Sequence, residues 1–208
     1  MPVRGLIFDY GGVLWDMRWD ISRTLEQEHG LRERAILETF YGSELYRSLE
    51  VGVGERQAWL DASHRQLEEL AGRPLPQLYA HWRERQHLIA PNIDLIRRLR
   101  SRYRTAVLSN ADRSLSRNLR DLGIADLFDE IVCSADLGMA KPDPRTYAAA
   151  AGRLQLDAGA CVFIDDLETN VAAARDAGMR GVHFRVYAGD DLEAQLADLG
   201  VRPAASPG

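Results

Sequence analysis

A short apolar strand that ends on an aspartate and two glycines constrains this chain more than any other stretch. Residues 6–8 form an apolar run of the length of a buried strand, and Asp9 follows directly. Gly11 and Gly12 come next, so the backbone can turn sharply and approach a bound group closely. Because ligands bind beyond the carboxyl ends of strands in open α/β sheets, we expect Asp9 at the rim of a binding site.

A second apolar run far along the chain also ends on carboxylates. Residues 160–164 lead into Asp165 and Asp166, and a helical pattern follows. If both strands end at one sheet edge, their carboxylates repel each other unless a cation neutralises them. Mg²⁺ takes oxygen ligands and is usually held by one or two carboxylates plus substrate phosphate. The sequence therefore predicts a magnesium site that includes Asp9 and this acidic pair.

Composition excludes several other classes of function. The 208 residues are 46% hydrophobic and 27% charged, as in ordinary globular proteins, and the net charge of −5 argues against a nucleic-acid partner. We find no apolar run of about 18 residues and no signal-peptide pattern, so no membrane partner is expected. Cys133 and Cys161 lie in apolar runs and suit a reducing compartment. We therefore expect a cytoplasmic protein, either a monomer or a homodimer.

The hydrophobic pattern divides the chain into two kinds of region. Residues 16–91 show no convincing strand but have helical patterns at 21–29, 34–41 and 55–71 and from Pro76. From residue 92, helical patterns alternate with apolar runs at 105–108, 130–133, 161–164 and 181–186. This alternation predicts an α/β fold with a doubly wound parallel sheet formed by residues 1–15 and 92–208. Residues 16–91 are predicted to be an all-helical cap.

Polar side chains follow other predicted strands as well. Ser109 and Asn110 end the run at 105–108, and Lys141 lies in the loop after the next run. Phosphoryl transfer needs a nucleophile, neutralisation of charge and hydrogen-bond donors. Asp9 can be that nucleophile by forming an aspartyl-phosphate, and Ser109 and Lys141 are suitable donors. Each alone also suits a turn or a solvated surface, so the prediction rests on their shared position at strand ends.

Four motifs in this order resemble those of the haloacid dehalogenase-like (HAD) hydrolase superfamily over essentially the whole chain. They are FDYGGVL at 8–14, LSN at 108–110, KPDP at 141–144 and FIDD at 163–166. The resemblance implies a Rossmann-type core and a cap that closes over the site and selects the substrate. Within the superfamily the chain is most similar to sugar-1-phosphate phosphatases. A small phosphorylated metabolite is therefore the implied partner.

The same resemblance assigns roles to the motif residues. It implies that Asp9 is the nucleophile and that Ser109 and Lys141 grip the transferred group, with Asn110 beside them at the substrate. It implies a Mg²⁺ cofactor. The ligands implied for it are Asp9, the backbone carbonyl of Gly11 and Asp165, with Asp166 in support.

One position departs from the phosphatase pattern. Gly11 stands where phosphatases of the superfamily usually carry an Asp that protonates the leaving alcohol. Dehalogenases also lack that Asp, but they need no metal and lack an acidic pair such as Asp165 and Asp166. A phosphatase is favoured, with sugar 1-phosphates preferred because an acidic leaving group needs a proton least. A non-catalytic or very slow regulatory binding module and, less favoured, a haloacid dehalogenase remain as alternatives.

Five residues in or beside the predicted cap are candidates for contact with the substrate. Trp15, Tyr46, Arg47 and Trp59 have suitable side chains, although aromatics at helical spacing more often pack in a core. Asp16 lies five residues after Gly11 and is a candidate to reach the leaving group.

Overall fold

A computed structural model describes residues 1–204 of the chain; residues 205–208, the end of the predicted core, lie outside the described residues. In chain order the strands are β1 (Gly5–Phe8), β2 (Trp15–Asp16), β3 (His87–Leu88), β4 (Arg104–Ser109), β5 (Glu130–Cys133), β6 (Cys161–Asp165) and β7 (Arg180–His183). Five of them form one parallel sheet in the order β5-β4-β1-β6-β7. The predicted doubly wound α/β fold is therefore confirmed, and β1 is its central strand.

Helices cover both faces of this sheet and fill the segment between β2 and β3. In chain order they are α1 (Trp19–Glu28), α2 (Ala35–Tyr41), α3 (Glu44–Glu50), α4 (Arg56–Ala71), α5 (Leu78–Arg83), α6 (Ala90–Leu99), α7 (Leu115–Asp121), α8 (Ser134–Leu137), α9 (Pro144–Arg153), α10 (Glu168–Asp176) and α11 (Leu192–Asp198). In the described part of the chain, no helix has both the length and the apolar composition that crossing a membrane requires.

The central strand is apolar throughout because both of its faces are buried. Leu6 and Phe8 point into a hydrophobic cluster shared with α6, α7 and α11. Ile7 points the other way, into a cluster shared with α9 and α10. A strand covered on both faces shows a continuous apolar run rather than alternation. This is the pattern from which the strand was predicted.

The helices α1–α5, which we call the helical insertion, have a hydrophobic cluster of their own. It includes Ile36, Phe40, Trp59, Leu67 and Trp82, all buried. The Trp59 indole N–H donates to the Phe40 carbonyl at 2.8 Å, so the largest of these side chains is also satisfied as a donor. This separate cluster supports a division of the chain at residues 16 and 91, which stays a prediction.

The predicted cap, residues 16–91, is not entirely helical, contrary to the prediction. The chain leaves the sheet through β2 and returns through β3, and these two strands pair antiparallel, with Trp15 opposite Leu88. A strand of two residues is too short to produce a periodic pattern, so periodicity does not reveal this pair.

Two boundaries and one helix also differ from the prediction. The helix α1 begins at Trp19, after Arg18, whose φ is 50°, rather than at the predicted residue 21. The helix α3 was not predicted, although Ser43 caps it by accepting a hydrogen bond from the Tyr46 N–H. The last strand ends at His183, before the predicted end at 186, because the Arg185 N–H donates to the Asp190 carboxylate instead of to a neighbouring strand.

Candidate active site

Three aspartates meet at the carboxyl edge of the sheet. Asp9 follows β1 and Asp165 ends β6, and these strands are neighbours whose pairing continues through the Asp9 N–H to the Ile164 carbonyl at 2.8 Å. One carboxylate oxygen from each of Asp9, Asp165 and Asp166 lies within 4.8 Å of the others. The two separate sequence motifs are therefore brought together as predicted.

Lys141 lies between two of these carboxylates. Its Nζ is 2.8 Å from Asp9 Oδ1 and 2.6 Å from Asp165 Oδ2, and its side chain is only 1% exposed. Burial alone would lower the pKa of Lys141, but the charges of Asp165 and Asp9 hold that pKa well above its ordinary value. The ammonium is therefore a permanent positive charge at this site.

Asn110 holds the backbone that carries Lys141. Its side-chain oxygen accepts from the Lys141 N–H at 2.8 Å, and its side-chain NH₂ donates to the Lys141 carbonyl at 2.9 Å. Both the oxygen and the NH₂ of the Asn110 amide are hydrogen bonded to the Lys141 backbone, which makes Asn110 a positioning residue for Lys141. Its predicted contact with substrate stays a prediction. Ser109 ends β4 nearby, and its buried hydroxyl lines the same cavity as Asp9.

Asp165 is fixed by donors on both of its carboxylate oxygens. Oδ1 accepts from the Leu167 N–H at 2.8 Å, Oδ2 accepts from Lys141 Nζ at 2.6 Å, and the Asn170 amide donates to both oxygens at 3.1 Å. Asp9 is less constrained, because its buried Oδ1 lies 2.8 Å from Lys141 Nζ but no donor in residues 1–204 is aligned for a regular hydrogen bond to it. A buried carboxylate oxygen with so few donors is a suitable ligand for a cation.

The carboxyl groups of Asp9 and Asp166 are difficult to ionise without such a cation. Burial raises the pKa of Asp9 to about 6, even though Lys141 lowers it. Burial, and then the charges of Asp9 and Asp165, raise the pKa of Asp166 to about 7. The shifts mark a site with more negative charge than Lys141 neutralises.

The two glycines after Asp9 do different things. Gly12 has a φ of +74°, and a Cβ at this position would lie 2.3 Å from Asp166 Oδ2, so the loop and the acidic pair fit closely only with glycine here. A Cβ at Gly11 would meet only Met17 Sδ, at 3.5 Å. There is therefore room for a larger side chain at Gly11, and packing does not explain its absence.

A cavity of about 440 Å³ opens above the carboxylates. Asp9, Gly11, Ser109, Lys141 and Asp166 form its floor. Its walls contain six aromatic side chains, Tyr10, Trp19, Tyr41, Tyr46, Trp59 and Tyr79. The volume is within the range of small-molecule pockets, roughly 300–1,000 Å³. The site can therefore hold a phosphate-sized group together with a larger body.

The structure separates the predicted substrate contacts into two groups. Tyr46 and Trp59 line the cavity, whereas Trp15 and Arg47 are not part of its lining. Asp16 is also outside it, because its carboxylate accepts from the Arg18 N–H at 2.8 Å and from the Tyr187 hydroxyl. Asp16 is held away from the leaving-group side, and its suggested role there is wrong.

Comparison with known proteins identifies the family. A model described as haloacid dehalogenase-like hydrolase matches residues 3–178. The chain belongs to the haloacid dehalogenase-like hydrolases. Sesquiterpene phosphatase astK of Aspergillus oryzae is 30% identical to this HAD-like hydrolase over 188 residues, which are 87% of this chain and 89% of that protein. Fructose-1-phosphate phosphatase YqaB of Escherichia coli is 29% identical over 97 residues, 46% of this chain and 52% of that protein.

A solved structure shares the fold of this HAD-like hydrolase. A HAD family enzyme from Bacteroides thetaiotaomicron, in complex with magnesium and inorganic phosphate, superimposes with a TM-score of 0.69 at 24% identity. The match covers 92% of this chain and 98% of that one. At this identity the likeness shows the fold, and roles for individual residues have to be argued from the geometry above.

Several residues that line the cavity of this HAD-like hydrolase were not predicted. They include Tyr10, Trp19, Leu37, Tyr41, Glu50 and Tyr79. Tyr10 lies within the first motif, directly after Asp9, so its position was available as a signal. The others come from the helical insertion, where the pattern marks apolar faces but not which side chains turn toward the sheet edge.

Proposed function

We propose that this HAD-like hydrolase is a Mg²⁺-dependent phosphatase that cleaves small phosphate monoesters through an aspartyl-phosphate on Asp9. The observation that carries the proposal is the cluster of Asp9, Asp165 and Asp166 around the buried Lys141, at the floor of a cavity large enough for an ester. The relatives named phosphatases, astK and YqaB, support the same reaction class.

The residues present fit the magnesium ion that this function needs. The carboxylates of Asp9, Asp165 and Asp166 offer oxygen atoms close enough to share one cation, and the Gly11 carbonyl lies in the loop that follows Asp9. When bound there, Mg²⁺ would neutralise phosphoryl oxygens and the excess negative charge of the site. The proposed ligand set is Asp9, Gly11 and Asp165, with Asp166 in support.

The chain's own groups then perform the transfer. An Asp9 carboxylate oxygen attacks phosphorus, and the bond from phosphorus to the ester oxygen breaks. Lys141 donates to phosphoryl oxygens as a fixed charge, and the Ser109 hydroxyl gives a further donor. Asn110 keeps Lys141 in place through its two backbone hydrogen bonds. Water then attacks the aspartyl-phosphate and releases inorganic phosphate.

The acidic cluster also argues against the two alternatives, a haloacid dehalogenase and a non-catalytic binding module. A metal-independent haloacid dehalogenase has no use for three carboxylates within 4.8 Å of one another, two of them with raised pKa values. A non-catalytic module does not need a carboxylate beside a buried lysine in the lining of a cavity. Phosphatase activity uses each of these features.

The cavity wall supports an ester with an apolar body. Six aromatic side chains line this wall; four of them are tyrosines, and the Tyr46 hydroxyl already donates to the Asn110 carbonyl at 3.4 Å. The wall's cations are also engaged, Arg56 with Asp112 Oδ2 and Arg83 with Gln86 Oε1, both at 2.7 Å. A hydroxyl buried without a partner costs about 1–3 kcal/mol. The name of the relative astK, a sesquiterpene phosphatase, agrees with an apolar body. We therefore place such esters ahead of the sugar phosphates predicted from the sequence.

A matched pair of substrates tests this function. Glucose 6-phosphate and cyclohexylmethyl phosphate are both primary alkyl esters with a six-membered ring, so they differ mainly in polarity. We expect Mg²⁺-dependent release of phosphate that EDTA abolishes, with a higher kcat/KM for the apolar ester. Leu37→Asn in the cavity wall should reduce that preference, while Leu45→Asn on the exposed surface is the control.

The possible failures of this experiment have different meanings. Faster hydrolysis of glucose 6-phosphate would restore the sugar-phosphate prediction and leave the phosphatase proposal intact. Metal-independent release of chloride from 2-chloropropionate would favour the dehalogenase. Absence of any hydrolysis, including that of p-nitrophenyl phosphate, would favour the regulatory module.

A further inference from the structure

The proposed reaction leaves one proton unaccounted for. When the bond from phosphorus to the ester oxygen breaks, an alkyl leaving group departs as a strongly basic alkoxide unless it is protonated. General-acid help of this kind is typically worth about 10²–10⁴-fold. Gly11 has no side chain to supply the proton, and Asp16 is held outside the cavity. A different acid is needed on the side of the cavity that faces the leaving group.

Glu50 is in the right part of the structure to be that acid. It is the last residue of α3 in the helical insertion, and it lines the same cavity as Asp9. Arg47, on the same helix, pairs with Glu44, and Arg56, which also lines the cavity, pairs with Asp112. The other acids that line the cavity are Asp112, which is paired, and the candidate metal ligands Asp9 and Asp166. Among the described residues, Glu50 is therefore the cavity-lining acid that is neither paired with an arginine nor a candidate metal ligand.

The backbone that follows Glu50 fixes its distance from the sheet edge. Gly52 has a φ of +79°, and a Cβ there would lie 2.3 Å from the Ala135 carbonyl in α8. The chain can therefore approach the core this closely only with glycine. Because α8 follows β5 of the main sheet, this contact attaches the end of α3 to the core two residues after Glu50.

The surroundings of Glu50 favour the protonated form of its carboxyl more than water does. Burial raises the pKa of Glu50 to about 7. Lys141 from the core and Arg47 from its own helix lower that pKa, and Asp9 raises it. Its place at the C-terminal end of a helix also disfavours the anion. The acid form is therefore available at the pH where such a reaction runs.

We propose that Glu50 donates the proton to the leaving oxygen, in the role that the residue at position 11 has in related phosphatases. Asp9 Oδ forms its bond to phosphorus, and the ester bond breaks with its electron pair going to oxygen. The Glu50 proton moves to that oxygen, so that the products are the alcohol, the aspartyl-phosphate and the Glu50 carboxylate. The water that hydrolyses the aspartyl-phosphate returns a proton to Glu50. This proposal depends on the phosphatase function above.

Two esters of different leaving-group basicity test the proposal in Glu50→Gln. With enzyme in excess and Mg²⁺ present, release of the alcohol in a single turnover reports only the first half of the reaction. For cyclohexylmethyl phosphate, whose alcohol needs a proton, we expect a loss of about 10²-fold or more. For p-nitrophenyl phosphate, whose leaving group is stable as an anion, we expect a change within about threefold. The second substrate also shows that the variant is folded and active.

Three controls separate proton donation from other roles of Glu50. Glu44→Gln, on the same helix and exposed, should leave both rates unchanged. Gly11→Asp in the Glu50→Gln background should restore much of the alkyl-ester rate, because Gly11 has room for a side chain. In the wild type the alkyl-ester rate should fall as pH rises through about 7, where Glu50 loses its proton, and this limb should vanish in Glu50→Gln.

The outcomes also separate failure of the proton-donor role of Glu50 from failure of the phosphatase function. Equal losses for both esters would mean that Glu50 only positions substrate, and unchanged rates would mean that it has no part in the reaction. Either result overturns the proton-donor role while the phosphatase stands. If wild-type protein hydrolyses neither ester, both proposals are wrong.

Discussion

Lys141 Nζ lies 2.6 Å from Asp165 Oδ2, and the two side chains are 1% and 0% exposed. Attraction between such buried charges is barely screened by solvent, and it helps to hold the pKa of Lys141 above its ordinary value. Lys141 is nevertheless one positive charge among three carboxylates, which leaves two negative charges without a protein partner when all are ionised. The proposed magnesium ion matches that excess.

Replacement of the nucleophile should stop turnover without unfolding the protein. In Asp9→Asn the amide cannot attack phosphorus, and we expect kcat to fall by at least about 10³-fold, as expected when covalent catalysis is lost. Asp16→Asn, outside the cavity, is the matched control and should stay within about threefold. Wild type incubated with Mg²⁺ and beryllium fluoride should carry BeF₃⁻ on Asp9, which ¹⁹F NMR can detect. Substantial turnover in purified Asp9→Asn would rule out the covalent route.

Removal of the buried cation should affect stability far more than removal of an exposed one. Breaking a buried ion pair from one side typically costs about 3–5 kcal/mol. We expect a loss of that size in Lys141→Met, measured as the free energy of unfolding in urea without metal. Arg145→Met, which breaks the exposed pair with Asp143, should cost no more than about 1 kcal/mol. Similar losses in both variants would show that the Lys141 pairs add little to stability.

The metal-free protein should lose stability as pH rises from about 5 to 8. The pKa of Asp9 is about 6 and that of Asp166 about 7, both above the ordinary value of 3.8, so folding favours the protonated forms. The stability from these protons is complete below pH ~4 and is lost as pH rises through 6 to 7. Mg²⁺ should therefore raise Tm more at pH 8 than at pH 5. In Asp166→Asn, the decline without metal should be smaller; parallel curves of Tm against pH would contradict this assignment.

Gly12 should be required for metal binding rather than for folding alone. Gly12→Ala and Gly123→Ala both place a side chain at positive φ, +74° and +69°, but only the first also collides with Asp166. We expect each to lose about 1–2 kcal/mol of stability from the backbone conformation. Only Gly12→Ala should weaken Mg²⁺ binding, by about 10- to 100-fold, measured by calorimetry. Equal affinities in the two variants would mean that Asp166 moves aside freely.

Local signals explain what the sequence predicted well. Asp143 caps α9 by accepting from the Arg145 N–H, and Pro144 occupies its first turn, a pair of residues typical of a helix start. The strands that bear Asp9 and Asp165 were recognised because a parallel strand buried on both faces is a continuous apolar run. The meeting of their carboxylates followed from the rule that parallel strands end at one edge.

The missed features depend on contacts between distant parts of the chain. Arg18 and Arg34 precede helices in the left-handed conformation, for which neither residue type is typical. The Ser43 cap was a usable signal for α3, but a helix of seven residues shows too few turns for its pattern to be clear. Glu50 could not be singled out, because its place in the cavity depends on how Gly52 meets Ala135.

The strand that carries Asp9 precedes both of its neighbours in the chain, although it lies between them in the sheet. Its neighbours, β4 and β6, pair with it through residues 104–107 and 161–164. During synthesis β1 therefore has no partner on one edge until residue 104 is made, and none on the other until residue 161 is made. Unpaired apolar strand edges invite contact with other chains. The position that gives Asp9 its rigid support thus leaves an apolar strand edge unpaired in the emerging polypeptide until β6 is made.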